Sequence, residues 1–155
     1  MRKWIILAVL LGGAPAALAD ERLPPITNEA VKKECGACHM AFQPQFLPQR
    51  SWRKMMDGLS DHFGEDASLP EATRLEIAAY LEANAGDVSG SREGRKFVKS
   101  IAADQSPMRI TEVPRWVGEH RGEVRESAWS DPRVRSKANC VACHRGADSG
   151  WYDDD

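Results

Sequence analysis

A mainly α-helical fold is what this 155-residue sequence predicts, and three observations predict it. No long stretch alternates apolar and polar residues with a period of two, so strands are not indicated. Helix-start signals recur along the chain. Two copies of one five-residue pattern, Cys35-Gly36-Ala37-Cys38-His39 and Cys140-Val141-Ala142-Cys143-His144, take up all four cysteines and two of the four histidines.

Cys-x-x-Cys-His is the attachment signature of c-type haem. The two thiols add across the haem vinyl groups as thioethers, and the histidine after them reaches the iron as an axial ligand. The predicted cofactors are therefore two covalently bound haem c groups, with Cys35, Cys38, Cys140 and Cys143 as anchors and His39 and His144 as proximal ligands. Zinc fits poorly, because structural cysteine pairs usually lie about 15–20 residues apart; here the gap runs from Cys38 to Cys140. A redox-active Cys-x-x-Cys needs a strand–helix setting that this chain lacks. Two large apolar cofactors also account for a low aromatic content of 7%, since they supply much of the core.

The elements follow in order. Arg2 and Lys3, an apolar run from Trp4 to Leu11 and the ending Ala17-Leu18-Ala19 read as a secretory signal peptide over 1–19, cleaved before Asp20. The run is too short, and too interrupted by Gly12, Gly13 and Pro15, for a membrane span; an uncleaved anchor is the alternative. Haem c is assembled outside the bacterial inner membrane, so export points to the periplasm. Thr27 is the expected N-cap of a helix into Cys35, with Ile26 and Val31 as its hydrophobic staple. Phe42 to Gln49, with Pro44 and Pro48, reads as an extended loop. Ser51 is the expected cap of a helix carrying Trp52, Met55, Met56, Leu59 and Phe63, with His62 in its last turn and Gly64 as its stop. Ser68-x-x-Glu71 reads as a capping box for a helix ending near Asn84 to Gly86.

Residues 87–91 form a polar linker, dividing an N-terminal haem unit (20–86) from a C-terminal one (87–147). Beyond it, Arg92 to Ile101 reads as helix despite Gly94, and Met108 to Val113 as extended. Pro114 opens a short helix with Trp116, Val117 and His120, stopped by Gly122. Asp131-Pro132 is expected to open a helix toward Cys140. Residues 148–155 are expected to form a mobile acidic tail unless Trp151 or Tyr152 docks.

Outside the motifs remain His62 and His120, one candidate distal ligand per haem. Pairing within each half is the simpler arrangement, and crossed pairing stays open. Among methionines, Met55 and Met56 read as core, Met40 is badly placed, and Met108 is the candidate substitute for His120. The distinction matters because a thioether raises the reduction potential relative to a second imidazole. Trp52, Trp116 and Trp129 read as haem-packing or core residues. Arg109, Arg115 and Arg121 cluster in sequence near His120 and are candidate propionate partners. Cleavage removes two of the 21 basic residues and none of the 23 acidic ones, leaving a formal charge of −4. No concentrated basic face suggests nucleic-acid binding.

Cys35 to His39, with Phe42, Pro44, Pro48, Ser51 to Met56 and Asp61 to Ala67, resembles the bacterial dihaem cytochrome c family. Arg109 to Glu112 and Trp116 to His120 resemble that family's second half. The resemblance implies a class I cytochrome c-like helical unit at the N-terminus, a less regular C-terminal haem-binding unit, and low-potential bis-histidine ligation through His62 and His120. It also implies an electron carrier with a membrane cytochrome b as donor and a small oxygen-binding monohaem cytochrome c as acceptor. The rival reading is a small dihaem peroxidase or gas sensor with one open or labile distal site.

Overall fold

The computed structural model describes residues 22–152; the leader read over 1–19 and the terminal run 153–155 lie outside the described residues. Among the described residues, helices α1 (Glu29–Cys35), α2 (Gln49–Asp57), α3 (Glu71–Ala83), α4 (Arg92–Val98), α5 (Pro114–His120) and α6 (Glu126–Trp129) are joined by coil and short 3-10 turns. No helix there is long and apolar enough to cross a membrane.

The fold is organised by a loop rather than by a helix. Residues 43–48 are all buried, and Gln43 and Leu47 are fully so. A buried loop must find partners for its polar groups, and this one does so for most of them, Gln45 Oε1 being buried without one. Trp52 Nε1 donates to the Pro44 carbonyl at 2.7 Å, and the Gly86 N–H donates to the Leu47 carbonyl at 3.0 Å. The Gln43 amide donates to the Ala147 carbonyl at 2.9 Å, and its oxygen accepts from the Tyr152 hydroxyl. Phe46 packs edge-on against Phe97 and Tyr152, with centroids 4.9 and 5.0 Å apart. Side chains from both sides of the 87–91 linker thus share one apolar core, Leu47 and Ile77 with Phe97, Ile110 and Trp116. Fully burying one such side chain stabilises by about 1.5–3 kcal/mol.

Close approach explains two glycines. A Cβ at Gly86 would lie 2.3 Å from the Gln45 carbonyl oxygen and 2.5 Å from Val98 Cγ1. One at Gly94 would lie 2.9 Å from Gln45 Cβ. Gly94 weakens α4 as a helix but lets it run against the loop, while Ser91 Oγ caps α4 by accepting from the Gly94 N–H at 3.1 Å.

Several boundaries depart from the sequence expectations. Asn28, not Thr27, caps α1, its Oδ1 accepting from the Val31 N–H at 2.8 Å; the Thr27 N–H is taken by the Tyr80 hydroxyl. Ser51 lies buried inside α2, which starts at Gln49 after Pro48 and stops at Gly58. Ser68 is not the cap of α3, which begins after Pro70. Residues 110–112 form a 3-10 turn instead of an extended segment. Among the described residues no α-helix follows Asp131-Pro132. Asp131 Oδ1 accepts from the Arg133 N–H, and its side chain holds the Arg133 guanidinium; Arg135 then adopts φ +61°. That Asx-type turn outcompetes the helix locally.

The tail docks at least as far as Tyr152. The Leu23 N–H donates to the Gly150 carbonyl at 2.9 Å, tying the two ends of the described chain together. Tyr152 packs against Phe46 and bonds Gln43, which is the docking expected as the exception to a mobile tail.

Candidate haem centres

Helix α1 delivers the first motif. Cys35 is its last residue, and the Gly36 N–H donates back to the Lys32 carbonyl at 3.1 Å. A Cβ at Gly36 would lie 2.2 Å from that carbonyl oxygen, so the turn needs glycine. His39 follows, its Nδ1 within 2.7 Å of the Met40 carbonyl and its ring stacked on Phe42 at 5.1 Å. A carbonyl can only accept, so Nδ1 carries the proton and Nε2 keeps its lone pair for a metal.

His62 comes from a hairpin, not from the last turn of a helix. The His62 and Glu65 backbones exchange hydrogen bonds, at 2.7 Å from the His62 N–H and 3.3 Å from the Glu65 N–H. Phe63 (φ +59°) and Gly64 (φ +98°) form the two-residue loop between them. Positive φ at both positions is the signature of a type I′ turn. A left-handed phenylalanine costs about 1–2 kcal/mol, and the Arg109 guanidinium, 3.9 Å above its ring, helps hold it. Such strain is typical of positions where the surroundings dictate a side chain's aim. His62 then faces His39, with ring centroids 6.2 Å apart and planes 21° from parallel.

The second motif rides on a 3-10 turn, Cys140–Ala142, with the His144 N–H donating to the Cys140 carbonyl at 2.8 Å. His144 Nδ1 is buried without a partner. Its counterpart His120 is the last residue of α5. Trp116, one helical turn earlier, shares its face and stacks on it at 4.1 Å and 17°. The Trp116 carbonyl accepts from His120 Nδ1 at 2.8 Å, again freeing Nε2. His120 and His144 also stand 6.2 Å apart, but with planes 86° apart.

These distances test whether haem fits. Two imidazoles on opposite sides of one ion, at metal–nitrogen distances of about 2.0 Å, place their ring centroids roughly 6 Å apart. Both pairs meet that value. Among the described residues no group of three or more His, Cys, Asp or Glu side chains is placed to hold a metal ion. Two imidazoles alone suit an ion whose other four positions are filled by a macrocycle, and poorly suit bare zinc. All four thiols are free. In each motif the first cysteine is partly buried and the second exposed. Burial pushes the Cys140 thiol up to about 11, and it raises Cys35 too, with Glu34 adding to the effect. At His62, burial first and then His39 and Arg109 lower the imidazole pKa, favouring the neutral form that binds metal.

A family model described as dihaem cytochrome c matches residues 31–152. The chain belongs to the dihaem cytochrome c family. It therefore binds two haem c groups covalently, and its family chemistry is electron transfer. The cytochrome is similar to a dihaem cytochrome c from Rhodobacter sphaeroides, at 43% identity over 83% of this chain and 99% of that one, with a TM-score of 0.76. A second structure from that organism matches at 42% identity, over 82% and 98%, with a TM-score of 0.69. A dihaem cytochrome c from Shewanella baltica matches at 30% identity, over 81% and 87%, with a TM-score of 0.66. No curated protein matches.

Two expectations about neighbouring residues change. Met108 lines a cleft of about 610 Å³ beside His62 and Phe63, so it belongs with the first pair and not with His120. Arg109 likewise sits over Phe63 at the first pair, although it lies near His120 in sequence, while Arg115 pairs with Glu119 on α5. Sequence reasoning missed Gln43 and Tyr152, which join the loop after the first motif to the tail after the second. A glutamine beside prolines carries no signal of burial; Tyr152 was visible only as a possible docking residue.

Proposed function

We propose that this cytochrome is a periplasmic electron carrier with two low-potential bis-histidine haems. Cys35 and Cys38 hold the first haem and Cys140 and Cys143 the second. His39 and His62 are the axial ligands of one iron, and His144 and His120 those of the other. When bound, the haems supply one-electron chemistry; the protein supplies ligand identity, burial and orientation, which tune potential. The observation that carries this reading is the pairing of imidazoles at 6.2 Å in both halves, each within its own half.

A second imidazole in place of a thioether lowers the potential, and a filled sixth position leaves no site for substrate. Periplasmic export through the 1–19 leader belongs to the same reading, as do a membrane cytochrome b donor and a small monohaem cytochrome c acceptor, which rest on the family resemblance. The test is the optical spectrum of the dithionite-reduced protein with and without carbon monoxide. An unchanged spectrum is expected. Binding at one haem would expose a labile site and move the reading to a small peroxidase or gas sensor.

A further inference from the structure

The geometry points to Trp116 as the residue that sets the plane of His120 and so makes the two haems electronically unlike. This rests on the axial-ligand reading of His62 and His120. Three contacts fix the His120 ring. Trp116 lies flat on it at 4.1 Å and 17°, the Trp116 carbonyl holds its Nδ1 at 2.8 Å, and Trp129 closes a further side at 6.1 Å. Trp116 is itself buried, so the ring cannot turn without disturbing the core. Opposite it, His144 has Tyr152 5.8 Å away and no partner on its buried Nδ1. The resulting planes stand 86° apart. At the first centre, among the described residues, no tryptophan is stacked on either imidazole; Phe42 flanks His39, and the planes lie 21° apart.

The consequence follows from orbital symmetry. A low-spin ferric iron keeps its unpaired electron in a pair of d orbitals that reach out of the haem plane. Each imidazole donates through the p orbital perpendicular to its own ring, raising the d orbital in that direction. Near-parallel rings raise the same orbital and split the pair. Perpendicular rings raise one each, and the pair stays nearly degenerate. The first centre is therefore a rhombic low-spin haem, and the second a strongly anisotropic one.

Electron paramagnetic resonance of the oxidised protein reads this directly. The expected spectrum holds two low-spin signals, one rhombic and one with a single large-g feature. His62→Ala removes the rhombic signal, and His120→Ala removes the large-g one. Trp116→Phe retains the stack and the large-g signal; Trp116→Leu shifts it toward the rhombic form and leaves the first centre unchanged. Two rhombic signals in the native protein would overturn the inference without any variant having to fold. Persistence of the large-g signal in Trp116→Leu would also overturn it. A high-spin ferric signal in the native protein would instead overturn the ligand reading beneath it, which separates the two failures.

Discussion

The two haem centres carry the same Cys-x-x-Cys-His pattern and end with the same 6.2 Å separation of imidazoles, yet almost every step between differs. At the first, His39 follows a helix and His62 sits at a strained hairpin. At the second, His144 follows a 3-10 turn and His120 ends a helix. His62 follows its motif in sequence, whereas His120 precedes its own. The contrast teaches that ligation constrains only where two ring nitrogens end up. The route of the chain, the plane of each ring and the second layer of contacts remain free, and that freedom makes the two histidine pairs unlike.

The sharpest way to break the comparison is to remove one distal imidazole at a time. His62→Ala and His120→Ala are each expected to open a single iron, so carbon monoxide should titrate to one equivalent per reduced protein in either variant. A stoichiometry of zero for His120→Ala would show that another group takes its place. Next in size is Gly86→Ala. The new methyl meets the Gln45 carbonyl oxygen and Val98 at once; overpacking of this kind costs about 3 kcal/mol. Because the buried loop serves both halves, the denaturation midpoints followed at the two haems should fall together. Loss at one centre alone would mean that the halves are energetically independent.

Tyr152→Phe acts on the link between the centres. It leaves the buried Gln43 oxygen without its donor, a loss of about 1–2 kcal/mol measurable by urea unfolding. An unchanged midpoint would show that the link is idle. The smallest effect is expected at the hairpin. Phe63→Asn relieves a left-handed strain of about 1 kcal/mol and forfeits an arginine–ring contact of about 0.5–1 kcal/mol. Stability should therefore move by no more than about 0.5 kcal/mol. A large loss would make the Arg109 contact, and not the turn, the element that holds His62.

How much was legible follows from how local each feature is. The chemistry of Cys35 to His39 and Cys140 to His144 is written in five consecutive residues. The relation of Trp116 to His120 needs only one helical turn started by Pro114, and α3 and α5 appear close to where their apolar positions and stops put them. The sequence therefore determined the cofactor type and number and the helices that local signals can specify. Tertiary structure decided the rest. His62 left its helix because Gly58 ends α2, and a left-handed Phe63 is stable only with the fold around it. Met108 and Arg109 moved from the second centre to the first because the chain crosses back over α2. The 43–48 loop became core because nearby Trp52 and the distant Gly86, Ala147 and Tyr152 take up its Pro44 and Leu47 carbonyls and the Gln43 amide. Pairing of histidines and the angle between their rings are set by packing across the whole chain, and no local pattern of residues encodes an angle between two elements that meet only after folding.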